Sequence, residues 1–211
     1  MAAQSYTTYT TIKARVGLGV GDTADDTILT TIASQVNSWV EGRIGFPVGP
    51  ITSEARLFDG DAIRQDHTGT PYLAVAPWGC RSISAVRTAD ATDGTYTSRT
   101  AGDVVIRPHT HERETDWPGF RLYVKDTASW SWNTGGYDVN EVTATWGWAA
   151  IPDELKAIAD KLGVAAFRGR AHGSGSTFSV GAEVEQIAAE ELTASDWRTI
   201  GKYADLKARI W

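Results

Sequence analysis

The order of hydrophobic periodicities along this 211-residue chain predicts an α+β fold. We expect a small helical bundle of N- and C-terminal helices, a long antiparallel β insertion of sandwich or barrel type, and an extended C-terminal arm. Apolar residues recur at helical spacing near the beginning and again late in the chain, and the stretch between them alternates as strands do. Because a helix with one apolar face must bury that face, the two striped helices are expected to pack on each other.

The first part of the chain predicts two helices. Thr7 or Thr8 is a suitable N-cap for a short first helix. The second helix is predicted over 26–44, with Thr23 as its N-cap and with prolines after its end that prevent continuation. Its apolar stripe supplies the first half of the expected helical core: Ile28, Ile32, Val36 and Trp39.

The middle of the chain is predicted to be β-rich. Apolar and polar residues alternate over 120–125 and again over 141–148, as in strands with one buried face. Short β runs separated by turn residues favour a small antiparallel sandwich or barrel. These runs are Tyr72–Val75, Ile83–Val86 and Val104–Arg107.

The last part of the chain predicts a third helix, a linker and an arm. Pro152 suits the first turn of a helix, and the stripe of this helix completes the helical core with Leu155, Ile158 and Leu162. Glycine and serine at 173–176 are typical of a flexible linker, with one short strand expected over 177–180. The predicted divisions are 1–50 (N-terminal helices), 51–150 (β insertion), 151–172 (C-terminal core helix) and 173–211 (linker and arm with a terminal helix).

The arm carries apolar side chains that are expected to bind a partner. An exposed apolar segment is unfavourable in water and is buried either on another molecule or on the protein's own core. We expect the first outcome, with burial on the chain's own core as the alternative. The residues are Phe178, Trp197, Ile200, Tyr203, Ile210 and Trp211.

Charge and composition limit the classes of function. The formal net charge is −6, and Lys and Arg are scattered rather than gathered into a basic stripe, which disfavours tight binding of DNA. No apolar run is long enough to span a bilayer, and the N-terminus does not resemble a signal peptide. A single cysteine, Cys80, fits a chain folded in a reducing cytoplasm.

No set of residues predicts catalysis or a bound cofactor. His109 and His111 lie beside a proline in a polar segment, with His67 elsewhere, and this pattern lacks the three or four fixed ligands of a zinc site. Cys80 has no base near it in sequence and is interpreted as a buried structural thiol. We therefore expect a protein that is not an enzyme and that needs no metal.

Two pairs of tryptophans raise an alternative function. If the pairs lie in strands, Trp130 and Trp132 share one face, and so do Trp146 and Trp148. An exposed pair is typical of a sugar-binding platform, whereas a buried pair fills a small β core. We expect Trp146 in the core and leave Trp130 and Trp132 open between core and an exposed hairpin tip. The alternative is a carbohydrate- or surface-binding β module on a helical scaffold.

A series of phrases along the chain resembles the head-to-tail connector, or adaptor, proteins of long-tailed phages. Each phrase is common by itself, and their order is the specific part. The phrases are Tyr9-Thr-Thr-Ile-Lys-Ala-Arg-Val-Gly-Leu, Asp22-Thr-Ala-Asp-Asp-Thr-Ile-Leu, Val40-Glu-Gly-Arg-Ile-Gly, Phe58-Asp59-Gly60, Val142-Thr-Ala-Thr-Trp146-Gly147, Ile151-Pro152-Asp153-Glu154-Leu155-Lys156, Phe178-Ser179-Val180-Gly181 and Leu192-Thr193-Ala194.

The resemblance implies a structural virion protein at the neck between head and tail, made in the host cytoplasm. It implies a homo-oligomeric, twelvefold ring beneath the portal protein, with a neck or tail-terminator protein as its tail-side partner. Such a ring continues the DNA channel, and DNA passes without specific binding. A head-to-tail interface that closes produces a ring without any catalytic site.

Overall fold

A computed structural model describes residues 4–89, 95–107, 118–172 and 180–208 of the chain. The chain separates into two units. The first, here called the helical unit, is made of Met1–Val48 and Ile151–Arg209. The second, the β unit, contains Gly49–Ala150. The chain therefore leaves the helical unit after its second helix and returns to it with the third.

Five helices of the described residues belong to the helical unit. They are α1 (Tyr9–Arg15), α2 (Asp26–Ile44), α3 (Asp153–His172), α4 (Val180–Glu191) and α5 (Ala194–Ala208).

The ends of α1 and α2 follow from local sequence. Thr8 caps α1, because its hydroxyl accepts a hydrogen bond from the Thr11 N–H at 3.2 Å. Gly45 ends α2 in the left-handed conformation with φ of 85°, and its N–H donates to the Glu41 carbonyl. The predicted bounds of α2 are confirmed. The predicted cap Thr23 is wrong, since the N-cap is Asp25 and it makes no side-chain capping bond.

The predicted packing of α2 against α3 is confirmed. On the apolar face of α2, Leu29 and Val40 are fully buried, whereas the predicted core residues Ile28 and Trp39 are only half-buried. The predicted core residues that are buried are Ile32, Val36, Leu155, Ile158 and Leu162.

Helix α1 lies close to α3 at a glycine. A Cβ added at Gly163 would be 2.6 Å from Cδ1 of Ile12, which is fully buried. Because real Cβ atoms do not approach other atoms so closely, a larger residue at position 163 would force the Ile12 side chain to shift.

Helix α4 was not expected. Val180, which was predicted to end a short strand, instead begins this helix, and 177–179 lie outside the described residues. Val184, Ala188 and Leu192 recur at four-residue intervals, as residues on one face of a helix do, and all three are buried. The predicted terminal helix is confirmed as α5.

The β unit contains two four-stranded antiparallel sheets in its described residues. Their orders are β1-β8-β4-β5 and β2-β3-β7-β6. The strands are β1 (Ile51–Phe58), β2 (Ile63–Gln65), β3 (Pro71–Ala74), β4 (Cys80–Ala89), β5 (Tyr96–Arg99), β6 (Val104–Arg107), β7 (Arg121–Val124) and β8 (Asn140–Trp146).

The two sheets enclose one apolar core, so the β unit is a sandwich. Leu73 and Leu122 come from one sheet, and Val86, Val142 and Trp146 come from the other. The predicted α+β fold, with a helical bundle and an antiparallel β insertion, is confirmed. No helix among the described residues is long and apolar enough to cross a membrane.

Candidate functional site

The side chains that were predicted to form a free C-terminal arm lie partly in the core of the helical unit. Helix α4 packs on α2 and α3, and α5 does the same. Ile200 and Tyr203 are 4% and 2% exposed. The Tyr203 hydroxyl donates to Oε1 of Glu154 at 2.5 Å.

This burial corrects the expectation that Ile200 and Tyr203 lack an intramolecular partner. Their apolar surface is removed from water by the chain's own helices, which was the alternative considered for the arm. Trp197 is only half-buried. Phe178, Ile210 and Trp211, which were assigned to the same surface, lie outside the described residues.

Trp197 belongs to an aromatic cluster that joins α2, α4 and α5. Its ring meets that of Trp39 edge to face, with centroids 6.0 Å apart. The Arg43 guanidinium carbon lies 5.5 Å from the Trp39 centroid and 5.7 Å from that of Trp197. Glu185 of α4 accepts from Nε1 of Trp39 at 2.7 Å and pairs with Arg43. The cluster therefore fixes α4 and α5 on α2.

The start of α5 is held by a reciprocal cap. The Thr193 hydroxyl and N–H both donate to Oδ2 of Asp196 at 2.8 Å, and Lys161 of α3 lies 3.1 Å from the same oxygen. Partial burial raises the pKa of Asp196, but these hydrogen bonds outweigh it, so the pKa lies below its ordinary value.

A buried polar network fixes the N-terminal segment to α2 and α3. The Thr7 hydroxyl donates to Asp160 at 2.6 Å, and Asn37 bonds both the N–H and the carbonyl of Thr7. Asp160 is 5% exposed and pairs with Arg15 at 2.8 Å. These partners are far apart in sequence, so no local pattern predicts them.

An open cleft of about 550 Å³ lies beside this network. The half-buried apolar side chains Val164, Ala165 and Ile187 form part of its lining. The rest of the lining is Gly169 and the charged residues Arg15, Asp160, Lys161, Arg168, Glu190 and Glu191. The cleft thus combines partly exposed apolar surface with charges of both signs.

The loop between α1 and α2 is anchored by a buried lysine. Lys13 is 5% exposed, and its ammonium pairs with Asp26 at 2.7 Å. The same ammonium donates to the backbone carbonyls of Val20 and Asp22. Val20 itself is 96% exposed. A charge at this depth needs such partners, and binding them restrains the loop.

The described side chains that could act as a nucleophile or an acid have surroundings that are typical of structural residues. Burial raises the pKa of the Cys80 thiol to about 12, as expected for a buried structural thiol and not for a nucleophile. Asp66 accepts hydrogen bonds from Thr68, which lower its pKa to about 2. His109 and His111 lie outside the described residues, and in the remainder no three metal-binding side chains are grouped.

The paired tryptophans do not form the predicted strand faces. Trp130 and Trp132 lie outside any strand, with their rings edge to face at 5.4 Å. Gly147, with φ of 76°, ends the extended backbone between Trp146 and Trp148. Trp132, Trp146 and Trp148 are all buried, which confirms the expectation for Trp146. Of the four indoles, Trp130 alone is half-buried.

Trp130 borders a polar groove of about 530 Å³ in the β unit. Its Nε1 donates to Asp103 at 3.1 Å, and the Arg99 guanidinium carbon lies 5.9 Å from its centroid. Nε of Arg99 donates to Thr88 at 2.8 Å. The groove contains one accessible indole rather than a platform of two.

No family model matches the chain, and a search of curated proteins finds no match to it. We therefore infer function from the geometry of the two units and from the motifs described above.

Proposed function

We propose that the chain is a head-to-tail connector of a long-tailed phage. It forms a homo-oligomeric ring beneath the portal protein, continues the DNA channel and provides the docking surface for a tail-side neck protein. The ring has no catalytic site, and its work is to join two larger assemblies.

The observation that carries this proposal is the agreement between motif order and element boundaries. Gly42-Arg43-Ile44 ends α2, and Phe58-Asp59-Gly60 ends β1. Val142–Gly147 forms most of β8 and the turn after it, Ile151-Pro152-Asp153 begins α3, and Leu192-Thr193-Ala194 begins α5. Because the phrases named here start or end elements, they follow the order of helices, β unit and helices along this chain, and that order supports the proposal.

The distribution of charge supports passage of DNA without a firm hold. Many described Lys and Arg side chains pair with carboxylates, as Arg87 does with Glu141 at 2.5 Å and Lys161 with Asp196 at 3.1 Å. A cation that is already paired with a carboxylate gains less free energy when it binds a phosphate. The formal net charge of −6 also disfavours a firm hold on DNA, because it repels the phosphates.

Reconstitution with the portal protein encoded by the same genome tests the proposal. Purified chain is mixed with portal rings, and the products are weighed by mass photometry and imaged by electron microscopy. We expect a ring of this chain seated on one end of the portal. A chain that neither binds the portal nor forms a ring at high concentration would contradict the proposal, and tailless heads from a phage lacking the gene would support it.

A further inference from the structure

The sheet with the order β1-β8-β4-β5 has two open edges. It ends in β1 on one side and in β5 on the other, and all of its pairings are antiparallel. Within the described part of the chain, no backbone–backbone hydrogen bond reaches the outer edge of 54–57 or of 96–99. Unpaired N–H and C=O groups along a sheet edge form a template for a further strand.

The two edges match in direction and in hydrogen-bonding orientation. Because the three pairings are antiparallel, β1 and β5 run in opposite directions, so β5 of one copy and β1 of the next are antiparallel if the sheet continues. A residue in a strand directs its N–H and its C=O toward the same neighbour, so hydrogen-bonded and non-hydrogen-bonded pairs alternate across a row. One row consists of Arg56, Val142, Val86 and Arg99. Since this row contains three pairs, the backbone groups of Arg56 and Arg99 point outward together or inward together.

One register brings edge groups of equal orientation together and also matches the side chains of the outer face. If Ala55 lies opposite Ser98, positions 54 and 56 lie opposite positions 99 and 97. Because the two valines of the row above are buried, the outer face carries the odd-numbered residues of β1 and the even-numbered residues of β5. Leu57, which is 49% exposed, then lies opposite Tyr96. This contact removes apolar surface of the leucine from water.

The same register pairs opposite charges on the other face. Glu54 lies opposite Arg99, and opposite charges on facing strands stabilise a pairing. Oε1 of Glu54 accepts from Arg56 at 3.1 Å, which leaves Oε2 for a second cation. Nε of Arg99 donates to Thr88, and no carboxylate pairs with Arg99 in the part of the chain that the structure describes.

We propose that β1 of one copy pairs with β5 of the next, with Ala55 opposite Ser98, so that the sheets of neighbouring copies form one continuous antiparallel sheet. This inference rests on the proposed function, because it assigns the lateral interface of the connector ring. The contact joins two different surfaces of identical copies, as a closed ring requires. It commits both edges to a second copy of this chain rather than to the portal or to a tail-side protein.

Cysteine cross-linking tests the contact and its register. A variant with Ala55→Cys and Ser98→Cys is oxidised at high concentration and run on a non-reducing gel; the native Cys80 is buried. Within one copy the two positions are three strand spacings apart, about 14 Å, which is too far for a disulfide. We expect a ladder that extends beyond the dimer, because each copy links to two neighbours.

The matched control moves one cysteine by a single residue. Thr97 is exposed like Ser98, but its side chain lies on the other face of the sheet, so Ala55→Cys with Thr97→Cys should give no ladder. Chains with Ala55→Cys alone, mixed with chains with Ser98→Cys alone, should give a dimer that neither variant gives by itself. Absence of the Ala55→Cys, Ser98→Cys ladder, an equal ladder from the control, or a dimer from Ala55→Cys alone would each overturn the inference.

A substitution provides a second measurement that does not depend on a disulfide. Leu57→Lys should raise the concentration for half-assembly about tenfold, since burial of the leucine side chain is lost. Tyr137, which is 87% exposed in the β unit, is the control, and Tyr137→Lys should not change that concentration. Rings of unchanged stability from Leu57→Lys would overturn this inference and leave the connector function intact. A wild-type chain that never assembles would overturn both.

Discussion

Replacing Trp39 with alanine is expected to lower the free energy of unfolding of the helical unit by about 2–4 kcal/mol. A fully buried tryptophan costs about 3–5 kcal/mol when truncated. Trp39 is half-buried, so we take roughly half of that, about 1.5–2.5 kcal/mol. The edge-to-face contact with Trp197 adds about 0.5–1.5 kcal/mol. Its hydrogen bond to Glu185 adds little, because that carboxylate is 47% exposed.

A double-mutant cycle separates the ring contact from the burial. Trp39→Ala, Trp197→Ala and the double variant are unfolded in urea, and the ellipticity at 222 nm is followed, since the described α-helices all belong to the helical unit. The double variant should lose about 0.5–1.5 kcal/mol less than the sum of the two single losses. Trp39→Ala combined with Trp130→Ala, which lies in the β unit, is the control and should be additive.

Additivity of Trp39→Ala and Trp197→Ala within about 0.3 kcal/mol would refute the contact between the two rings. A Trp39→Ala variant with an unchanged urea midpoint would refute the packing of α2 in the helical unit as well. A loss of more than about 5 kcal/mol would mean that the indole is fully buried and not half-buried.

Thr68→Ala should raise the pKa of Asp66 from about 2 toward its ordinary value, measured by NMR titration of the carboxyl carbon. Because the folded pKa is depressed, this carboxylate favours folding above about pH 4 and loses that effect as pH falls toward 2. Cys80 should resist a thiol reagent at pH 8 in the native protein and react after unfolding; rapid native labelling would contradict its burial. Titration with neutral and acidic sugars should not quench tryptophan fluorescence, whereas saturable quenching that Trp130→Ala abolishes would favour the sugar-binding alternative. Deletion of all residues after Ser176 should lower the thermal midpoint of the helical unit, because α4 and α5 are removed; an unchanged midpoint would contradict their packing.

Hydrophobic periodicity predicted the helices that bury only one face. It did not predict the features that depend on tertiary contacts. The stripe of α2 was visible because a half-buried helix must repeat its apolar residues every three or four positions. Helix α4 was missed because it follows a glycine- and serine-rich segment, although Val184 and Ala188 carry the same signal. The strand expected through Trp148 ends at Trp146, because Gly147 adopts a positive φ that sequence alternation does not reveal.

The polar contacts that shape the candidate surfaces had no signal in the sequence. Asp160 contacts Thr7 and Arg15 only because the N-terminal segment and α1 pack close to α3. Lys13 lies in a short helix whose sequence does not indicate burial of its charge, yet it is buried and binds loop carbonyls. Such contacts join residues through the fold rather than along the chain, so spacing does not predict them.

The packing of α4 changes how assembly has to be tested. Its residues Val184 and Ala188 complete the core, while Ile187 of the same helix lines the cleft. Deleting the arm therefore removes a core element and a surface together, and failure to assemble would not separate folding from recognition. Arg168 lines the same cleft and is exposed, so changing it alters the surface and leaves the core intact. A contribution of the cleft to the proposed ring is therefore better tested by substitutions at its exposed residues than by truncation, because α4 belongs to both the core and the cleft.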